Sequence, residues 1–351
     1  MKLNDLRIGY VPISLSSKLD QPSDRRRFCY YANKRNIPFE IAKPSESYDL
    51  VVVTEGGDLS IWSDYYKGDA KIVFDFIDSY LSVPKWDSKR LFGGLAKYVA
   101  GQSHYLRLDY WKSLQDMCRR ADAVICTTDE QKQDNLQFCQ NVHIILDIHS
   151  TVSRAVKTDY STGEVFNFVW EGLPQNIASF YEIKEVLEYL KQNYSVALHL
   201  VTDLEYRQYL RKYRKRNAVD IARKIFDNVY IYEWNEATCS AIFSACDMAI
   251  IPLPLSNPLY KGKPENKLLL FWRMGVPVVT SASPAYTRAM EGCGLPMACH
   301  TTDDWIRILE HYMSDREARC DAGQRGLAYA NEHYSEESTL KRWDDVFASM
   351  L

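Results

Sequence analysis

Residues 257–267 read Asn-Pro-Leu-Tyr-Lys-Gly-Lys-Pro-Glu-Asn-Lys, which sets Lys261, Lys263 and Lys267 on and beside a loop that runs into a helix start. Ammonium groups clustered in this way hold an anion. A helix N-terminus, with unpaired N–H groups and partial positive charge, draws the same kind of guest. A diphosphate is the natural one. Pro264 suits the first helical position, where a missing N–H costs nothing. Residues 268–274 are apolar apart from Arg273, Gly275 ends the run, Pro277 forbids its continuation, and Val278 and Val279 open a strand. The competing reading is a solvated lysine loop beside an ordinary α/β turn.

A second set of candidates lies in the first half. Asp78 follows the predicted strand 71–77, and a carboxylate at a strand's end orients a hydroxyl or accepts its proton. A lone Asp caps a helix or turn at least as often. Arg25, Arg26 and Arg27 open a predicted helix over 25–36, where they oppose the helix dipole; that local conflict points to an anionic contact. His104 and His149 are further catalytic candidates, although most isolated histidines are neither catalytic nor ligands.

Length and composition bound the class of protein. At 351 residues the chain exceeds what one core usually serves, so two domains are expected. A net charge of −3 lacks the electrostatic footprint of a nucleic-acid binder. The 24 Tyr and 8 Trp suit sugar-facing or membrane-facing surfaces, and equally an aromatic core. Nine scattered cysteines, with no Cys-x2-Cys pair, read as reduced thiols rather than a zinc site or disulfide framework. No apolar secretory segment opens the sequence and no uninterrupted membrane span occurs, so a cytoplasmic chain is expected.

The elements that would position these residues alternate. Strands are predicted at 7–14, 38–42, 48–54, 71–77, 122–128 and 142–147, with helices at 25–36 and 106–120. The second half repeats the rhythm, with strands at 165–170, 195–201, 229–232, 248–252 and 276–281. Its helices are predicted at 177–192, 205–226, 237–245, 264–274, 303–312 and 315–333. Such alternation implies an α/β fold of parallel sheets with right-handed crossovers. The expected division is a first Rossmann-like domain over 1–150, a polar linker over 151–163, a second Rossmann-like domain over 164–333, and a C-terminal helix over 334–351 that crosses back to the first. Two such domains facing one another enclose a cleft at the carboxyl ends of both strand sets.

The second half resembles the nucleotide-sugar domain of GT-B glycosyltransferases, most closely the large retaining family numbered 4. The resemblance is carried by Asn228-Val229-Tyr230-Ile231-Tyr232-Glu233-Trp234, by Ala245-Cys246-Asp247 before an apolar strand, and by Asn266-Lys267-Leu268 leading to Gly275-Val276-Pro277-Val278-Val279. It implies that the first domain takes the acceptor and the second the donor, whose base lies near Tyr232, Trp234 and Asn235. Departures are specific. Leu270 stands where the family has its ribose-binding glutamate and Gly262 where it has the earlier glutamate, so the ribose and sugar contacts are expected to fall to Glu265 or Asn266; Ile77 stands where relatives place a histidine. The family's Arg and Lys after the first strand of this domain are replaced by the run Glu171-Gly172-Leu173-Pro174, in which Gly172 permits close backbone approach to a ligand.

The resemblance thus implies transfer of a sugar from a nucleotide-sugar donor to a carbohydrate or glycolipid acceptor, retaining and without a metal or other cofactor. The lysines would stabilise charge on the departing diphosphate. A sugar-nucleotide epimerase on the same fold, or an inactive nucleotide- or sugar-binding protein, are the alternatives. Arg207, Arg211, Lys212, Arg214, Lys215 and Arg216 form a basic run, read as a solvated face or, secondarily, as weak contact with the inner face of a membrane.

Overall fold

A computed structural model describes residues 3–14, 19, 21–83, 88–207 and 215–351. The chain divides into two compact units, Met1–Ile148 with Glu336–Leu351, and His149–Ser335. The stretch 151–163 therefore belongs to the second unit. Among the described residues each unit carries a six-stranded, all-parallel sheet.

In the first unit the strands are β1 (Ile8–Val11), β2 (Glu40–Ile41), β3 (Leu50–Thr54), β4 (Lys71–Asp75), β5 (Ala123–Cys126) and β6 (Val142–Ile144), in the order β2-β1-β3-β4-β5-β6. Every residue of β1, β3 and β5 is buried, as a parallel sheet covered on both faces requires. The exposed edge strand β2 is only two residues long. The helix Glu336–Ala348 packs its Leu340, Trp343, Val346 and Phe347 into this unit's core. There Tyr31 stacks on Trp343 and Phe347 with ring centroids 5.7 and 5.5 Å apart.

In the second unit β7 (Phe166–Glu171), β8 (Val196–Thr202), β11 (Val229–Glu233), β12 (Met248–Ile251), β13 (Val278–Ser281) and β14 (Ala298–Cys299) run in the order β11-β8-β7-β12-β13-β14. A separate antiparallel hairpin pairs β9 (Glu205–Arg207) with β10 (Lys215–Asn217). That hairpin, followed by the short helix Ala218–Ala222, replaces the helix expected over 205–226. In the sequence Tyr206, Tyr209, Leu210 and Tyr213 have the i, i+3, i+4, i+7 spacing of a helix, and that spacing misled. The central basic residues Arg211, Lys212 and Arg214 lie outside the described residues.

The expected arginine-led helix over 25–36 is two helices, Pro22–Arg25 and Phe28–Arg35. Arg25 therefore ends a helix, where its charge suits the dipole. Arg27 is buried in the break between them. Its Nη2 donates to Asp75 Oδ1 at 2.6 Å and its Nε to Asp75 Oδ2 at 2.8 Å, while Nη1 reaches the Ile145 carbonyl at 2.9 Å and Asp147 at 3.2 Å. Burial opposes the guanidinium charge, but Asp75 and Asp147 more than offset it and the pKa is raised. The conflict read in the sequence is thus met by an internal ion pair, and Arg27 holds the ends of β4 and β6 together. Removing one partner of such a pair costs about 3–5 kcal/mol, because the other charge stays buried. Urea denaturation of Arg27→Met is expected to show that loss, and Arg27→Met with Asp75→Leu to recover most of it. Wild-type stability in the single variant would mean that the pair does not anchor these strands.

Candidate functional site

The strands of the second sheet deliver several residues to their carboxyl ends. Gly172 directly follows β7, and a Cβ built there would lie 2.3 Å from Lys267 Nζ and 2.7 Å from the Trp170 ring. Lys267 Nζ sits 4.6 Å from the centroid of that buried indole, a cation–π geometry that fixes the ammonium beside bare glycine backbone. Gly172 and Lys267, 95 positions apart in the sequence, are thereby brought together. Two buried hydroxyls on this edge, Thr202 Oγ1 at the end of β8 and Ser283 Oγ after β13, have no hydrogen-bond partner.

The lysine loop itself is more structured than expected. Asn257 caps the short helix Pro258–Lys261, its Oδ1 accepting from Leu259 N at 3.1 Å. Pro258, rather than Pro264, occupies a first helical turn; the next helix is Asn266–Trp272, with Glu265 at its N-cap. Lys261 is exposed and Lys263 half-buried. The Tyr260 hydroxyl donates to Asn176 Oδ1 at 3.4 Å, which ties this loop to the segment after β7. Glu265 is buried and accepts from the Tyr334 hydroxyl at 3.2 Å. Burial, then the charges of Glu265 and Glu171, push the Tyr286 hydroxyl up in pKa, which marks both carboxylates as neighbours of that ring. Asn266, half-buried, opens the Asn266–Trp272 helix. Leu270, in the family glutamate's place, is 1% exposed and packs in the core, so it offers nothing to a ribose.

Tyr232 and Trp234 lie at the end of edge strand β11. The Tyr232 hydroxyl and His199 Nδ1 are 3.0 Å apart, with His199 Nε2 3.0 Å from Asn167 Oδ1, and the Tyr232 and His199 rings stack at 5.8 Å. Burial lowers the His199 pKa, with Asp247 acting in the opposite sense. Tyr232 is thus committed to the sheet face. Trp234 is half-buried, its backbone N–H on the Thr202 carbonyl at 3.1 Å, and Asn235 turns its own loop by accepting from Ala237 N at 2.8 Å.

In the first unit Asp78 does follow β4. Its backbone N–H donates to Glu55 Oε2 at 3.0 Å, as Ile77 N does at 3.2 Å. Glu55, one residue past β3, is a candidate that the sequence reading missed. So is buried Tyr110, whose hydroxyl reaches the Glu55 carbonyl at 3.3 Å and whose pKa is raised by burial and then by Glu55 and Asp78. Lys97 Nζ lies 3.5 Å from the Tyr110 ring centroid. Two carboxylates, a phenol and an ammonium therefore share one corner. Their separations in sequence, from 55 to 110, gave no local signal. Arg26 is buried at the helix break, and its carbonyl accepts from Ile148 N at 2.9 Å. His104 is exposed, its backbone N–H on Asp58 Oδ2 at 2.6 Å and its ring against Tyr105. His149 is 1% exposed at the start of the second unit, its carbonyl accepting from Val152 and Ser153. Among the described residues no three His, Cys, Asp or Glu side chains come together as metal ligands.

Two parallel Rossmann-like sheets, each with polar groups gathered at its carboxyl edge, define the GT-B architecture. Comparison with solved structures gives the same class. TarM of S. aureus superposes with a TM-score of 0.60 at 14% identity over 91% of this chain, which spans only 57% of TarM. Sucrose-phosphate synthase of Thermosynechococcus elongatus matches at 0.55 and 12% over 92% of this chain and 75% of its own. WaaG, a glycosyltransferase involved in lipopolysaccharide biosynthesis, matches at 0.54 and 13% over 97% of this chain and 99% of its own. No protein-family model and no curated protein matches the sequence. The chain has the GT-B glycosyltransferase fold.

If Lys267 is held by contact with Gly172, the two positions must be coupled. Filling Gly172 with a methyl group is expected to cost about 1–3 kcal/mol by overpacking. In a Lys267→Ala background the cost of Gly172→Ala should fall by at least about 0.5 kcal/mol, read from a thermal-unfolding double-mutant cycle. Strict additivity would show that the ammonium does not occupy the space beside Gly172.

Proposed function

We propose that this chain transfers a sugar from a nucleotide-sugar donor to a carbohydrate or glycolipid acceptor, with retention and with no metal. The observation that carries the reading is Lys267 poised over Trp170 beside Gly172 at the carboxyl edge of the second sheet. Backbone unhindered by a Cβ admits a phosphate closely, and the ammonium opposes the charge that grows on the leaving diphosphate. Lys261 and Lys263 add charge to the same loop, and Glu265 and Asn266 border it. Trp234, with Asn235, offers a face for the base, and Tyr232 stiffens that strand end through His199. TarM, which shares the fold, has been crystallised in a mutant form with fondaparinux, α-GlcNAc-glycerol and UDP, and this supports a uridine diphosphate as the first ligand to test.

On the acceptor side Asp78, with Glu55 and Tyr110 beside it, is the group proposed to orient the attacking hydroxyl. Arg25 and Arg26 remain the proposed anion contacts of the acceptor, whereas Arg27 is spent on Asp75. His104 and His149 are the reserve catalytic candidates.

A charge-assisted hydrogen bond contributes about 1.5–3 kcal/mol. Calorimetry with UDP is therefore expected to show Lys267→Ala weakened roughly tenfold to a hundredfold. Unchanged affinity would remove the donor assignment. Asp78→Asn should lower turnover by about 10²–10⁴ while leaving UDP affinity intact, since the donor residues belong to the other unit. A folded Asp78→Asn that transfers at the normal rate would pass the role to His104 or His149.

A further inference from the structure

Phe166 opens β7 and Ser195 immediately precedes β8, and both line a cavity of about 760 Å³ at the amino-terminal edge of the second sheet. The helix Thr302–Ser314 contributes Ile306, Arg307, Glu310 and Met313 to it, and Tyr194 lines it from the turn before β8. A cavity of this volume suits a small-molecule site rather than a packing gap. The donor candidates lie at the other end of the same strands. β8 is seven residues long, which sets the two edges roughly 20 Å apart. The lysine loop contributes no residue to the cavity.

The lining is suited to hydroxyl groups. The Tyr189 and Tyr194 hydroxyls both donate to Glu310 Oε1, at 2.6 and 2.7 Å, and these bonds hold the carboxyl below its ordinary pKa. Glu310 is thus ionised and fixed in orientation, with Oε2 left to accept from a guest. Glu164 and Asp303 are exposed carboxylates that also line the cavity. Arg307 gives one N–H to Asp304 at 3.1 Å and keeps donors in reserve. Tyr194, 37% exposed, presents an aromatic face.

Each feature selects among guests. Three carboxylates against one guanidinium repel an anion. An organic cation only donates and would leave Arg307 without an acceptor, whereas a sugar hydroxyl donates to a carboxylate and accepts from a guanidinium. A sugar ring also lays its C–H face on an aromatic ring. We infer that this cavity binds a neutral saccharide through Tyr194, Glu310 and Arg307, at a site separate from the donor edge. A saccharide held there is anchored rather than transferred, and anchoring one part of a long chain raises the effective concentration of the rest. The inference does not depend on the donor reading, because it uses none of those residues.

The test is a glycan array that carries neutral and anionic glycans, probed with the full chain. Neutral glycans are expected to retain it and anionic ones to fail. The most strongly retained neutral oligosaccharide is then titrated by calorimetry. Glu310→Gln should weaken its binding at least about tenfold, as the loss of a charge-assisted hydrogen bond implies. Tyr194→Ala, which removes the ring and one bond to that carboxylate, should do the same. Asp303→Ala, at an exposed position, should weaken binding at least about threefold and serves if circular dichroism shows either other variant unfolded. Lys267→Ala and Asp78→Asn should bind the oligosaccharide as the wild type does, and the cavity variants should bind UDP normally. Four results would overturn the inference: no neutral glycan retained, anionic glycans retained equally, unchanged affinity in the folded cavity variants, or affinity lost in Lys267→Ala or Asp78→Asn. Saturable binding of spermidine without any glycan binding would assign the cavity to an amine instead.

Discussion

Parallel pairing is the constraint on which the rest of the structure depends. Because every ladder within the two six-stranded sheets is parallel, all the strands of a sheet finish on one edge, and the residues that follow them are gathered there whatever their separation in sequence. Glu55 and Asp78 meet in this way after β3 and β4, and Gly172, after β7, is held by its N–H on the Val201 carbonyl near the end of β8 at 3.3 Å. Parallel strands must also be covered on both faces, which explains the unbroken apolar runs of the sequence. The chemistry-bearing groups are left to the strand exits, where the backbone turns away, and some of them, such as the Thr202 and Ser283 hydroxyls, are buried there.

That logic sets what the sequence could disclose. The strands were legible because short β-branched runs such as Leu50–Thr54 and Val278–Ser281 are bounded by turn residues. The lysine loop was legible because its charges are local. Contacts that depend on tertiary approach were not. Nothing near Arg27 announces Asp75, 48 positions away, so a buried ion pair looked like a surface cluster seeking an anion. Glu55 and Tyr110 were silent for the same reason. The hairpin β9–β10 was misread as helix because Tyr206, Tyr209, Leu210 and Tyr213 recur in sequence at i, i+3, i+4 and i+7, the helical period. In the resemblance, Leu270 was recognisable as a departure, but only the structure shows that it is a core residue.

Glycine acts in each unit through volume rather than flexibility. At Gly172 the missing Cβ makes room for an ammonium beside the backbone, and at Gly94 it lets the Arg107 and Leu108 carbonyls lie on the helix Ser88–Val99. Neither needs an unusual backbone angle; neither is among the positive-φ glycines. Each would be filled, and its partner displaced, by the smallest possible side chain.

The helix Glu336–Ala348 has a consequence for how the protein is made. Its Trp343 and Phe347 complete an aromatic wall with Phe28 and Tyr31, yet the whole of His149–Ser335 is translated before them. Domains generally fold in the order they leave the ribosome. Here the second unit has all its residues first, while the earlier one waits with an aromatic face open. The second unit is therefore complete in the nascent chain before the first, whose aromatic wall is closed only when the C-terminal helix has been made.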